Sequence, residues 1–321
     1  MAREALMNAP RTMGPKVVAY LAERRRAGFD LLIEGQQLAR FAHFTDQSGY
    51  RGALTVAVAS RWALASEHGR QLTAARRIEV LRGFARYCLS FEPATEIPPL
   101  HLFGPAHRRL TPHIFTDAEI RSLLQAATSL PPSGGLRAAT CATIFGLIAA
   151  SGLRISEATG LQRSDVDFVK GCLRIRDSKF HKSRLVPLHP TAVRALRRYA
   201  GQRDRDPLTH TSDAFFVFDY GRAASSSSLR YAFQILRRQL RWRARGGHSM
   251  PRIHDIRHTF ISHRLERWYH EDADIERQML ALSTYVGHAH VTDTYWYVTA
   301  TPQLMAIAAS RLAPLGTSGA P

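Results

Sequence analysis

Pro93-Ala94-Thr95-Glu96-Ile97-Pro98-Pro99-Leu100-His101-Leu102-Phe103-Gly104-Pro105-Ala106-His107-Arg108-Arg109-Leu110-Thr111-Pro112 is a stretch that no regular helix can accommodate. Its five prolines each remove an amide donor and crowd the preceding turn. The stretch 93–112 reads as an interdomain linker, dividing a chain of 321 residues into two parts that are each long enough to bury a core. The basic residues at its end, Arg108 and Arg109 after His107, are able to contact phosphates.

On the amino-terminal side, residues 14–92 read as a small domain of four helices. Pro15 suits a first helical turn and Gly28 a C-terminal stop around Val17, Val18 and Leu21. Leu54, Val58 and Trp62 recur at a spacing of four, and Thr73 is an N-cap candidate for a helix with Ile78, Leu81, Phe84 and Cys88 on one face. On the other side a second domain, 113–308, opens with a capping box from Thr116 to Glu119, ahead of Ile120, Leu123 and Leu124. The uncharged run 138–153 is too short to span a membrane and reads as a buried helix. Cys172–Arg176 and Arg184–Leu188 read as two strands of a hairpin with a lysine-bearing tip. Val193, Leu196 and Tyr199 mark a helix, Phe215 to Phe218 a buried stretch, and Ser225 to Ser228 a turn before a helix bearing Leu229, Phe233 and Leu240. Residues 309–321 are left as a tail.

Lysine and arginine number 44 against 26 acidic residues, a net charge of +18 that suggests a polyanionic partner, with nucleic acid first. The cysteines, Cys88, Cys141 and Cys172, are three and far apart, so neither a disulfide framework nor a zinc site is indicated. A reducing, cytoplasmic setting fits this usage, and no signal peptide is visible at the start.

Four separated segments carry the chemistry. They are Gly152-Leu153-Arg154-Ile155-Ser156-Glu157, then Lys179-Phe180-His181-Lys182-Ser183-Arg184-Leu185-Val186-Pro187-Leu188, then His254-Asp255-Ile256-Arg257-His258-Thr259-Phe260, and last Gly287-His288 with Tyr297 nine residues on. Arginine, lysine, histidine, arginine, histidine and tyrosine in this order resemble the active site of the tyrosine recombinase (phage integrase) family, over about 116–302. The run from Tyr297 to Pro302 is reminiscent of mobile-element members.

The resemblance implies a catalytic set of Arg154, Lys179, His254, Arg257, His288 and Tyr297, and reaction chemistry explains these residue types. Charge builds on the non-bridging oxygens of an attacked phosphodiester, and guanidinium forks hold such oxygens without losing their own charge. Arg154 and Arg257 are the expected clamp. A tyrosine hydroxyl is a poor nucleophile near neutrality and needs a proton acceptor, for which His254 is the candidate. The leaving 5′ oxygen needs a general acid. Lys179 at the hairpin tip is preferred for that role, with Lys182 the competitor and otherwise a phosphate contact. His288 is expected to donate to a non-bridging oxygen.

Other residues keep two readings. Glu157 either forms an ion pair that positions Arg154 or acts directly. His258 either supports the phosphate or caps a helix. His290 lacks companions for a metal site, and neither a metal nor another cofactor is expected. Arg237, Arg238, Arg241 and Arg243, continuing to Arg245 around Trp242, either follow DNA phosphates or form a charged helix face; DNA contact is favoured. Tyr295 is expected to be a packing residue. The segment from Pro302 to Leu312, with Leu304, Ile307 and Ala308 on one face, either docks into a neighbouring subunit or closes its own domain.

The fold implied is mainly α: a two-domain C-shaped DNA clamp, with a helical core-binding domain and a mostly helical catalytic domain carrying a small antiparallel β-sheet. The resemblance further implies double-stranded DNA as partner, a homo-tetramer on paired sites with related recombinases as further partners, and a cytoplasmic, nucleoid-associated protein. Relaxation of DNA by a type IB topoisomerase and a catalytically silent accessory role are the alternatives.

Overall fold

Where Gly28 takes a left-handed φ of +86°, the first helix, α1 (Met13–Arg26), comes to its end, a conformation that costs glycine nothing. The protein is seen in a computed structural model that describes residues 12–65, 71–107, 109–178, 182–271, 273–300, 304–306 and 309, the side chains at 177, 178, 182, 299 and 300 excepted. The chain divides into two units, Met1–Arg109 and Leu110–Pro321.

In the first unit α1 is followed by α2 (Leu32–Gln47), α3 (Val56–Leu64) and α4 (Gln71–Leu89). The Thr55 hydroxyl accepts from the Val58 amide at 3.3 Å and so starts α3. Leu54, Val58 and Trp62 pack with Leu38, Phe41, Ile78, Leu81, Phe84 and Cys88 in one core. One local expectation needs correction: Thr73 lies inside the first turn of α4 and is not its N-cap. The buried face of α1 runs through Met13 and Val17, while Val18 is exposed. The proline-rich stretch is irregular yet held to this unit: the Arg76 guanidinium donates to the Ala106 carbonyl at 3.2 Å, Arg82 to that of Pro98, and the Glu96 amide to that of Leu54 at 2.8 Å.

The second unit begins with α5 (Asp117–Ala127), whose capping box closes as the spacing requires: Thr116 Oγ1 accepts from the Glu119 amide at 3.2 Å and Glu119 Oε2 from the Thr116 amide at 2.8 Å. Next come α6 (Leu136–Ser151), α7 (Ile155–Thr159) and three antiparallel strands in the order β1 (Val166–Asp167), β2 (Cys172–Ser178) and β3 (Lys182–Pro187). At two residues, β1 is too short to give a periodic signal. Helices α8 (Pro190–Arg203), α9 (Ser226–Gln239), α10 (Ile253–His270), α11 (Ile275–Val286) and α12 (Thr292–Ala300) complete the unit. The serine run is not a turn: Ser225 is the N-cap, accepting from the Ser228 amide at 3.1 Å, and the other three serines form the first turn of α9.

This unit is mostly helical with a small sheet. Phe145, Ile148, Phe215, Phe216, Phe233 and Ile256 centre one core. Ile261, Leu265, Met279, Leu282, Val286, Tyr297 and Leu304 centre another. Leu304 is thus buried within its own chain, while Ile307, Ala308 and 310–312 lie outside the described residues. Among the described residues no helix is long and apolar enough to cross a membrane.

Candidate active site

Helices α6 and α11 both stop at a glycine in the left-handed region, Gly152 at φ +65° and Gly287 at φ +71°. A helix end leaves its last carbonyls without intrahelical partners and carries partial negative charge, so cations are stable there. Arg257, on α10, joins the two ends: Nη1 donates to the Gly152 carbonyl at 2.6 Å and Nη2 to that of Val286 at 2.7 Å. Arg154 Nη2 donates to the Gly287 carbonyl at 2.7 Å, and Arg184 Nε to that of Tyr285 at 2.9 Å. A Cβ on Gly287 would lie 2.6 Å from Arg184 Nη1, and one on Gly152 would lie 2.5 Å from the Phe260 ring. Both positions therefore demand glycine for space as well as for backbone conformation.

One buried carboxylate stands among these cations. Glu157 accepts from the Arg154 amide and from Arg154 Nη1, both at 2.9 Å, and from both terminal nitrogens of Arg184. Burial alone would raise the Glu157 carboxyl, but the hydrogen bonds and charge of Arg184, then Arg154, outweigh it and hold the group below the usual carboxylate value. Of the two readings of Glu157, the ion pair is what the structure contains. Burial, followed by the Arg154 charge, pushes Arg257 down to about 10, which leaves it protonated near neutrality. Among these described side chains Arg154, Arg184 and Arg257 outnumber Glu157, which leaves this cluster electropositive.

Tyr297, on α12, is buried at 3% exposure, and its Oη lies 2.6 Å from Nδ1 of His258. Tyr295 is 43% exposed, so its expected packing role is overturned. Two residues apart on a helix means about 200° of rotation, and only one of the pair can face inward. His254 meets His258 edge-on, with ring centroids 4.7 Å apart. His288 lies nearly parallel to the Tyr297 ring at 6.2 Å, and its Nδ1 is 2.7 Å from Thr294 Oγ1.

All three imidazoles are held neutral. Burial, with the charges of Arg252 and Arg257 adding to it, pushes His258 down to about 2; burial, then Arg257, pushes His288 to about 3. His254 moves to about 4 through crowding by surrounding atoms and then Arg257. Its ring is nevertheless exposed at the surface. Repulsion from Arg257 and Arg252 therefore disfavours a proton on it.

These contacts bring Arg154, His254, Arg257, His288 and Tyr297 into one cluster. Lys179 lies outside the described residues, as does Arg108; Lys182 begins β3, paired with Ser178, and its side chain is likewise outside them. Arg109 is described and belongs to the first unit. Arg237 donates to the Pro251 carbonyl at 2.9 Å, and Arg238, Arg241 and Arg243 are exposed. The helix stops at Gln239, so the arginine run is not one helix face: Trp242 turns in against Phe115 and Phe233, and Arg245 pairs with Glu119.

Sequence reasoning left Arg184 without a role and gave His258 two readings. Arg184 shares the inward face of β3 with Val186 while Leu185 points out, and an arginine on the core side of a strand demands a carboxylate. His258 does not cap a helix, since it lies inside α10; it stands one turn beyond His254, with its Nδ1 2.6 Å from Tyr297 Oη.

The family model described as the phage integrase family matches residues 113–303. The chain is similar to an integrase/recombinase of Sinorhizobium fredii, y4rB, at 36% identity over 94% of this chain and 97% of that one. It is also similar to the tyrosine recombinase XerC of Chlamydia trachomatis, at 34% identity over 62% of this chain and 60% of that one. Among solved structures it is similar in fold to the XerH recombinase bound to palindromic difH substrate, with TM-score 0.66, 17% identity, and 96% of this chain and 93% of that one covered. The Tn1549 transposon integrase in complex with transposon right-end DNA also has TM-score 0.66 and 17% identity, with 93% of this chain and 99% of that one covered.

Proposed function

This chain belongs to the phage integrase family of tyrosine recombinases, and we propose that it breaks and rejoins double-stranded DNA at specific sites through a 3′-phosphotyrosine on Tyr297. The observation that carries this reading is the buried Tyr297 hydroxyl, hydrogen-bonded to a neutral histidine in a cluster held together by arginines. The Tyr297 oxygen attacks the scissile phosphorus in line, the bond to the 5′ oxygen breaks, and that oxygen takes a proton from Lys179. The freed 5′ hydroxyl of a partner strand then attacks the phosphotyrosine and restores the phosphodiester. Each bond is exchanged for one of similar energy, so the reaction needs no ATP.

Arg154 and Arg257 supply the charge that stabilises the non-bridging oxygens. Each spends two donors on the contacts described and a guanidinium has five, so donors remain for phosphate. His288 adds a hydrogen bond to the same oxygens. The helical unit acts as the core-binding domain, 14–92, joined by the linker 93–112 to the catalytic domain, 113–308, with 309–321 as a tail, and both domains bind the duplex. Arg108, Arg109, Lys182, Arg237, Arg238, Arg241 and Arg243 contact the DNA backbone, and protomers assemble as a tetramer on paired sites on the nucleoid. The DNA-bound state of the XerH and Tn1549 structures supports the DNA partner.

The test is a nicked suicide substrate, from which the short fragment diffuses away and religation is prevented. Wild type should accumulate a protease-sensitive adduct on the DNA 3′ end, with the modified peptide containing Tyr297. Tyr297→Phe should bind the DNA and form none, while Tyr295→Phe retains it. An adduct on any other residue would overturn the assignment.

A further inference from the structure

We propose that His258 is the residue that takes the proton from the Tyr297 hydroxyl as the oxygen attacks phosphorus, with His254 packed beside it. The inference rests on the reading of Tyr297 as the nucleophile and adds to it the identity of the proton acceptor. The 2.6 Å separation between His258 Nδ1 and Tyr297 Oη is a short hydrogen bond, within the reach that a general base needs. His254, by contrast, touches the edge of the His258 ring. Tyr297 as a residue is buried against Ile261 and Leu265 of α10, Met279, Leu282 and Val286 of α11, and Leu304, and His258 is an acceptor within reach of its hydroxyl.

The direction of the hydrogen bond follows from charge. Burial is the first cause that disfavours a proton on the His258 ring, and the charges of Arg252, at the N-cap of α10, and Arg257, on α10, add to it, while the neutral rings of His254, on α10, and His288, between α11 and α12, stand close by. Tyr297 and Trp296 of α12 supply its other aromatic neighbours. His258 is therefore a neutral imidazole, with its proton on Nε2 and a lone pair on Nδ1 that accepts from the tyrosine O–H. When the phosphodiester enters, its negative charge partly cancels the surrounding arginines and raises the proton affinity of the ring. The base is then strong only with DNA in place. In the step, the Tyr297 O–H bond breaks, its proton passes to Nδ1, the oxygen–phosphorus bond forms, and the 5′ oxygen leaves with a proton from the general acid. Religation returns the Nδ1 proton to the tyrosine oxygen.

The experiment measures single-turnover cleavage of the suicide substrate by the full chain, with DNA affinity and thermal unfolding recorded for each variant. His258→Ala should lose about 100-fold or more in cleavage rate, and added imidazole should restore a substantial part by occupying the space. His258→Asn keeps a side-chain oxygen near the Nδ1 position, and so can hold the hydroxyl but cannot take its proton; it should fold, bind DNA and remain as slow as His258→Ala. Three results each overturn the proposal: His258→Asn cleaving within about threefold of wild type, His258→Ala failing to respond to imidazole, or imidazole restoring His254→Ala in its place. Failure of wild type itself to form an adduct at Tyr297 would instead remove the nucleophile assignment, and the acceptor with it.

Discussion

Both carboxylate oxygens of Glu157 lie 3.0 Å from the terminal nitrogens of Arg184, Oε1 from Nη1 and Oε2 from Nη2. This fork ties strand β3 to helix α7, and the same carboxylate holds the amide and side chain of Arg154. Removing it strands several buried guanidinium contacts at once. Glu157→Ala should destabilise the catalytic unit by about 3–5 kcal/mol, the range for breaking a buried pair by removing one partner. Glu157→Gln, which keeps an acceptor, should cost less. Denaturant unfolding of both variants checks this, and a loss below about 1 kcal/mol for Glu157→Ala would show that the arginines find their counter-charge elsewhere.

Gly287 offers a separation of two causes. Its φ of +71° alone would cost another residue about 1–2 kcal/mol, and asparagine tolerates that region better than alanine. The Cβ contact with Arg184, however, is common to both substitutions. Gly287→Ala and Gly287→Asn should therefore be similarly destabilised, by roughly 2 kcal/mol or more, and both should lose cleavage as Arg184 is displaced. Near-normal stability for Gly287→Asn would mean that only the backbone conformation matters.

Much of this architecture was legible in the chain because it depends on local chemistry. The prolines of 93–112, the capping box at Thr116 and the spacing of Leu54, Val58 and Trp62 are each decided within a few residues. The order of Arg154, Arg257, His288 and Tyr297 carried the family resemblance. What stayed hidden depends on distant partners. Arg184 meets Glu157 only because β3 and α7 converge, 27 residues apart in sequence. The pairing of His258 with Tyr297 spans 39 residues. Sequence placed the histidine that begins the motif beside the nucleophile, but it is the residue one helical turn further along α10 that reaches it. Tyr295 was given a packing role once the resemblance had selected Tyr297, but a residue about 200° around the helix from a buried one faces outward, and Tyr295 is 43% exposed.

Stability should fall on acidification, and the histidines set the window. His258 and His288, driven mainly by burial to about 2 and about 3, stay neutral in the fold at pH values where ordinary histidines near 6.5 gain protons. Above 6.5 folded and unfolded chains are both neutral at these positions, so the groups add no pH dependence. Below it the unfolded chain binds protons that the fold refuses, so stability declines as pH falls toward 3 for His288 and further for His258. Each group contributes at most about 1.4 kcal/mol per pH unit before solvent screening is discounted. The melting temperature should therefore drop by several degrees between about pH 7 and pH 5, with a shallower drop for His288→Gln. An unchanged slope in that variant would mean that His288 takes up its proton in the folded state.

The general acid can be tested without reference to its side-chain position. A 5′ bridging oxygen leaves as a strongly basic alkoxide and needs a proton in the transition state, whereas sulfur at the same position leaves readily without one. Lys179→Ala should therefore lose about 100-fold or more on normal DNA and recover most of that loss on the sulfur-bridged substrate. Lys182→Ala, if that lysine serves a backbone phosphate, should lose affinity with similar penalties on both substrates and a salt dependence reduced by about one counterion. The two variants thus differ in kind and not only in degree, one showing a substrate-specific rescue and the other a shift in salt titration. Rescue confined to Lys182→Ala would transfer the acid role to the first residue of β3.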